Sequence, residues 1–221
     1  MYLRHPKTFR GPTELFKIHP SGKSPILEVQ FADGSKGLKL AETGLIMQFL
    51  LKYYDPQHFL HPKSPREQIK VDYYLHYAEG TLQSVLMTLL INSVAKKIAP
   101  LGLKTAVNFI TKALNKGYHI HEFKLNMKFL DDQLRKNGTG FFVGDGLTGA
   151  DIILTFPIYE NIFDNLDQVR TILNEKIDME KEYPYLAKWS EMISNNESYQ
   201  KVSQYLDDLV DQYIQEHALK K

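Results

Sequence analysis

The texture of hydrophobic and polar positions changes near residue 60. Before it, apolar runs are short. Residues 24–31 (SPILEVQF) form a candidate strand, Ala32-Asp33-Gly34-Ser35 carries turn chemistry, and residues 37–41 are expected to return as the second strand of a hairpin. Leu45, Ile46, Phe49, Leu50 and Tyr53 then recur at i, i+1, i+4, i+5 and i+8, which predicts one apolar face of a helix over residues 42–54. The next stretch, DPQHFLHPKSP at residues 55–65, holds Pro56, Pro62 and Pro65 and cannot continue a helix. It is the best domain boundary in the chain. It ends on a helix start signal: Ser64 as N-cap, Pro65 at the first helical position and Glu67 three residues after the cap.

Beyond this linker the pattern is helical throughout. One long helix is expected from residue 65 towards 99, stopped by Pro100. Another should run over residues 103–134, interrupted near Gly117, with Phe123, Met127, Leu130 and Leu134 on one face and Asn137-Gly138 as its C-cap. Further helices should follow Thr148 and Pro184, the latter carrying Leu186, Trp189 and Ile193 at i, i+3 and i+7. Residues 201–221 read as a frayed terminal helix. The fold class predicted is therefore α+β, a small mixed unit joined to an all-helical one.

Composition narrows the function. Apolar residues make up 43% and charged residues 24% of the 221, so the chain can bury a sizeable core. Basic and acidic residues number 27 and 26, a balance that argues against a nucleic-acid binder driven by counterion release. The absence of cysteine excludes disulfides, thiolate metal sites and a cysteine nucleophile within these residues. Residues 2–12 carry Arg4, Lys7 and Arg10 without an apolar stretch, unlike a secretory leader. The longest uncharged run, residues 80–95, is 16 long and includes Gln83, Ser84, Thr88 and Asn92, so it reads as a buried helix and no transmembrane segment is expected. His119 and His121 would point to opposite sides of a helix and find no third ligand, so no metal site is expected. Lys96-Lys97 and Lys220-Lys221 read as solvated charges.

Three segments in order resemble the glutathione transferase family. They are His19-Pro20-Ser21-Gly22-Lys23-Ser24-Pro25-Ile26-Leu27, Leu40-Ala41-Glu42-Thr43-Gly44-Leu45-Ile46, and Phe142-Val143-Gly144-Asp145-Gly146-Leu147-Thr148-Gly149-Ala150-Asp151. PTELFKIHPSGKSPILEV and YPYLAKWSEMISNNESY resemble the fungal microsomal-type branch, and the resemblance spans essentially the whole chain. It implies a thioredoxin-like glutathione-binding domain at residues 1–55, a linker at 56–64 and an all-helical domain at 65–221. It also implies a cis bond before Pro25, with the backbone of Ser24 pairing with the cysteinyl part of glutathione. Glu42 and Thr43, at a helix start, would meet the ammonium and carboxylate of the γ-glutamyl end. Lys23 could reach the glycyl carboxylate, or stand as a solvated turn lysine. Thr148 and Asp151 form a capping box, flanked by Leu147 and Ile152 as a hydrophobic staple. Tyr73, Tyr74 and Tyr77 lie on a helix that the family uses for both dimer interface and electrophile pocket, with core packing expected of at least one.

The function implied is conjugation of glutathione to hydrophobic electrophiles in detoxification or stress response. Glutathione serves as co-substrate, with no other cofactor, in a cytoplasmic homodimer; peripheral attachment to the endoplasmic reticulum stays open. Residues 2–12 match the end of the family's second strand, so about thirty residues of a βαβ piece, including the Tyr, Ser or Cys that activates the thiol, are expected to be absent. Tyr2 matches the wrong end of the fold to replace it, so the catalytic group is unknown and enzymatic activity uncertain. The chain could be a fragment of an enzyme, a degenerate paralogue, or a protein that activates the thiol with another group. The alternative function is a catalytically silent, transferase-like dimerisation or regulatory module.

Overall fold

The computed structural model describes residues 11–218, which fall into two compact units: residues 11–50 with 194–218, and residues 51–193. In the first unit a single helical turn, α1 (Leu15–Ile18), leads to the antiparallel hairpin of β1 (Ile26–Val29) and β2 (Leu38–Ala41). The strands are shorter than the pattern suggests because Pro25 has no N–H to extend the ladder. Ile26 pairs with Ala41 and Val29 with Leu38, and the facing pair Glu28 and Lys39 forms an exposed ion pair at 3.1 Å. The turn residues act as expected: Gly34 N–H donates to Phe31 C=O at 3.1 Å and Ser35 N–H to Asp33 Oδ1 at 2.9 Å. Helix α2 (Thr43–Tyr54) follows one residue after β2. Of its expected apolar face only Ile46 is buried, while Leu45, Leu50 and Tyr53 stay exposed.

The helix that follows the proline-rich stretch begins at the expected cap. Ser64 Oγ accepts from Glu67 N–H at 3.3 Å and opens α3 (Pro65–Tyr77). A π-helical turn (Ala78–Gln83) joins α3 to α4 (Ser84–Ile98), and the run ends before Pro100. A 3-10 turn (Leu101–Leu103) leads into α5 (Lys104–Leu114), a second π turn (Asn115–His119) and α6 (Ile120–Asn137). These two π turns each contain an exposed glycine, Gly80 or Gly117, whose low helix propensity suits it to a widened turn; a third π turn, Thr155–Glu160, has none. Gly138 closes α6 in the left-handed region at φ 72°, where a side chain would be strained, and its N–H reaches Leu134 C=O at 2.9 Å.

The rest is a series of shorter helices: α7 (Gly149–Leu154), α8 (Leu166–Leu173), α9 (Met179–Glu182) and α10 (Pro184–Ser194). Helices α8 and α9 escape periodicity arguments because they span about two turns and one turn. The core of this unit is assembled from Val71, Leu75 and Leu82, from the expected stripe Phe123, Met127, Leu130 and Leu134, and from Leu154, Ile158, Leu186 and Trp189. The terminal helix α11 (Glu197–Ala218) starts four residues earlier than expected, since Asn196 Oδ1 caps it by accepting from Tyr199 N–H at 3.1 Å. Tyr2, Lys220 and Lys221 lie outside the described residues.

Candidate functional site

The hairpin register brings the residues of two separate motifs to one end of the sheet. Ile26 pairs with Ala41, so the next residue on each side is Pro25 or Glu42, followed by Ser24 or Thr43. The Ser24-Pro25 bond is cis. Ser24 and Lys23 are exposed, as is Glu42, while Thr43 is half-buried at the first position of α2. Glu42 has φ 74°, a conformation that costs a non-glycine residue on the order of 1–3 kcal/mol and is concentrated at functional sites. This single left-handed residue turns the chain from strand to helix: its C=O accepts the first helical bond from Ile46 N–H at 3.0 Å. The first N–H groups of α2 have no intrahelical partner, and the helix dipole adds partial positive charge there. Exposed backbone groups at a strand start, a carboxylate and a hydroxyl at a helix N-terminus suit a short peptide bearing both an ammonium and a carboxylate.

The loop that feeds Ser24 is held by residues of the same motif to which the sequence by itself assigns no role. Gly22 has φ 57°, and a Cβ there would lie 2.5 Å from the Phe16 ring, so only glycine lets α1 pack over the turn. His19 Nδ1 and Ser21 Oγ share a hydrogen bond at 2.7 Å just before it. No local signal records this support: Phe16 stands in α1, and its packing against Gly22 exists only once the turn is folded.

Asp151 sits deep in the second unit and gathers four donors. Its Oδ2 accepts from the N–H and the Oγ1–H of Thr148, each at 3.0 Å, and its Oδ1 from Phe142 N–H and Trp189 Nε1–H, again each at 3.0 Å. Thr148 and Asp151 form a capping box at the start of α7. Burial nevertheless holds the Asp151 carboxyl above its ordinary value, against the pull of those donors. The Phe142 ring stands between Tyr74 and Trp189, 5.2 Å from each. This cluster is structural, closed to a ligand.

The three tyrosines of α3 divide. Tyr74 and Tyr77 are buried, and desolvation drives both hydroxyls well above the ordinary range; the Tyr77 hydroxyl donates to Asn126 Oδ1. Tyr73 remains half-exposed, stacked on Tyr77 at 5.5 Å. His119 meets the Tyr118 ring edge-on, His121 is exposed, and no group of three metal-ligating side chains occurs among the described residues. A shallow cleft of about 270 Å³ is lined by mixed charges around Tyr183, whose hydroxyl burial pushes up to about 12.

Comparison with known proteins agrees with this architecture. Residues 111–208 match the family model of the glutathione S-transferase C-terminal domain. Glutathione S-transferase 1 of Saccharomyces cerevisiae is 33% identical over 195 residues, covering 86% of this chain and 77% of that protein. A glutathione transferase homolog from Lodderomyces elongisporus, solved with two GSH per subunit, superposes with a TM-score of 0.62 at 23% identity, over 86% of this chain and 78% of the other. Ure2p5 from Phanerochaete chrysosporium, cocrystallised with 1-(S-glutathionyl)-2,4-dinitrobenzene, superposes with a TM-score of 0.66 at 17% identity, over 90% and 81%. The likeness to these two structures is one of fold: a thioredoxin-like unit followed by a helical one. The identity to the yeast transferase reaches further, and the chain belongs to the glutathione S-transferase family.

Proposed function

We propose that this protein binds glutathione at the end of the hairpin and conjugates it to a hydrophobic electrophile. The observation that carries this reading is the register that sets Ser24 and Pro25 beside Glu42 and Thr43 at the mouth of α2. In this reading the Ser24 backbone holds the cysteinyl unit as an added strand would. Glu42 accepts from the γ-glutamyl ammonium, Thr43 and the α2 N-terminus hold its carboxylate, and Lys23 faces the glycyl end. Glutathione is the co-substrate. Its thiol loses a proton, the thiolate sulfur bonds to the electrophilic carbon, and that carbon expels its leaving group with the bonding pair, chloride from a chloronitrobenzene. None of these five residues is assigned the activation of the thiol.

The functional division proposed is residues 1–55 for glutathione, 56–64 as linker and 65–221 for the electrophile and assembly. A homodimer is proposed through the outer face of α3, where Ile69 and Tyr73 are exposed, Phe129 of α6 lies 6.4 Å from Tyr73, and Leu125 is exposed further along α6. The proposed compartment is the cytoplasm, with the surface of the endoplasmic reticulum as its alternative. No helix among the described residues is long and apolar enough to cross a membrane.

Calorimetric titration with glutathione, followed by turnover of a chloronitrobenzene, tests the reading. Glu42→Gln and Thr43→Ala should each weaken binding by about tenfold or more, the worth of one hydrogen bond to a charged group. Unchanged affinity in both variants would remove the site from this end of the hairpin. Tight binding without turnover would favour the silent module.

A further inference from the structure

A cavity between α4, α5 and the end of α8 gathers cations without a counter-charge. Its wall carries Lys96 from α4, Lys112 from α5 and Lys116 from the π turn that follows. None of the three makes a hydrogen bond or an ion pair with a described residue. The one carboxylate on the wall, Glu175, is already held by Lys124 at 2.6 Å. The sequence carries the same imbalance: between Glu79 and Glu122 it has no acidic residue and five lysines. The negative end of the α8 dipole also meets this wall, but no lysine donates to its carbonyls, so the three charges remain available. Three like charges around one small space repel one another, a cost that an anion removes.

A fourth group sets this place apart from a set of solvated lysines. Asn115, only 3% exposed, opens the π turn and stands on the same wall. Its Oδ1 accepts from Asn92 Nδ2 at 2.6 Å, which leaves its own Nδ2 as a pair of N–H donors with no acceptor among the described residues. Buried polar groups are almost always satisfied, so a donor left over beside a cavity calls for an acceptor inside it. Lys112, Asn115 and Lys116 stand at i, i+3 and i+4, on one side of the helical run, and π turns are frequent at functional sites.

The chemistry of the wall identifies the ligand. At about 190 Å³ the cavity equals the volume of about six waters, too small for a polymer and enough for a tetrahedral oxyanion with a short organic substituent. Lysine meets phosphate as a point charge, whereas carboxylates suit the planar fork of arginine, and the wall has no arginine. Ile120 and Ile172 supply apolar contact for the substituent.

We propose that this cavity is a binding site for a small phosphate monoester: Lys96, Lys112 and Lys116 neutralise the phosphoryl oxygens, and Asn115 Nδ2 donates to one of them. The site uses none of the residues assigned to glutathione, and its failure would leave the proposed conjugation untouched.

Phosphorus magnetic resonance of phenyl phosphate, titrated with the full chain at constant ionic strength, tests it. Native protein should broaden the resonance along a saturating curve. Lys112→Gln with Lys116→Gln should weaken the affinity by about a hundredfold, roughly tenfold for each lost bond to a charged group. Asn115→Asp keeps the acceptor for Asn92 but turns the donor into a carboxylate oxygen, and should abolish binding. Lys97→Gln, one residue from Lys96 and outside the cavity, should change the affinity by less than about twofold. Far-ultraviolet melting curves show which variants are folded. The side chains of Lys112 and Lys116 are exposed, so their replacement keeps the test decisive should Asn115→Asp not fold. A linear, unsaturating response of the native protein overturns the proposal. So does an equal loss with Lys97→Gln, or undiminished binding by the Lys112→Gln, Lys116→Gln variant.

Discussion

Asp151 concentrates the consequences of a single side chain. As an N-cap partner alone it would be worth about 0.5–2 kcal/mol, the usual cost of losing a cap. The structure adds Phe142 N–H and Trp189 Nε1–H to its acceptors. Asp151→Ala therefore strands buried donors on three residues, and a cost of about 2–4 kcal/mol is expected, against about 0.5–2 kcal/mol for Thr148→Ala. Urea unfolding of the two variants measures both, and equal midpoints would show that the bonds to Phe142 and Trp189 contribute little. Glu42 is the opposite kind of residue: exposed, in a left-handed conformation, at the turn from strand to helix.

At the scale of elements, the linker is more ordered than a proline count suggests. The Asp55 side chain, only 10% exposed, accepts from the N–H groups of Phe59 at 3.0 Å and Leu60 at 2.9 Å, and meets His61 Nδ1 at 2.9 Å. Desolvation tends to raise its carboxyl, but the His61 ring and the two N–H groups outweigh it and hold it below the ordinary 3.8. A folded value below the unfolded one means stability that is present above the unfolded value and lost as pH falls through the folded one. The melting temperature of the native protein should thus fall more steeply between about pH 5 and pH 3 than that of Asp55→Asn. Parallel curves for the two proteins would show that this loop does not contribute. Two of the π turns are the other feature of this scale: they fall at Gly80 and Gly117 and keep α3 with α4, and α5 with α6, as near-continuous runs.

At the scale of the whole molecule, the exposed apolar residues Ile69 and Tyr73 of α3 carry the proposed dimer. Around Ile69 and Tyr73 the neighbouring charges have both signs, with Asp132 of α6 paired to Lys128 at 3.4 Å and to Arg135 at 3.1 Å. Such a face, with charges of both signs, can meet its own copy. A dimeric mass is expected by light scattering at micromolar concentration, and Ile69→Glu with Tyr73→Glu should reduce it to that of one chain. A monomeric native protein would refute the proposed dimer.

What the sequence determined by itself was local. Caps at Ser64 and Thr148, the stop at Pro100, the left-handed Gly138 and the core stripe of α6 all act within a few residues of the atoms they control, so their chemistry is legible in order along the chain. The motifs around Ser24 and Glu42 were equally visible, but only the pairing of Ile26 with Ala41 brings them together. Tertiary structure alone decided the bonds of Asp151 to a tryptophan 38 residues away and of Lys63 to Asp145, 82 residues apart, because nothing local records a distant partner. It also decided which side of α5 faces the core. Periodicity reports that a helix has two sides; packing, with Thr111 and Asn115 turned inward, determines which one is left to meet the surroundings.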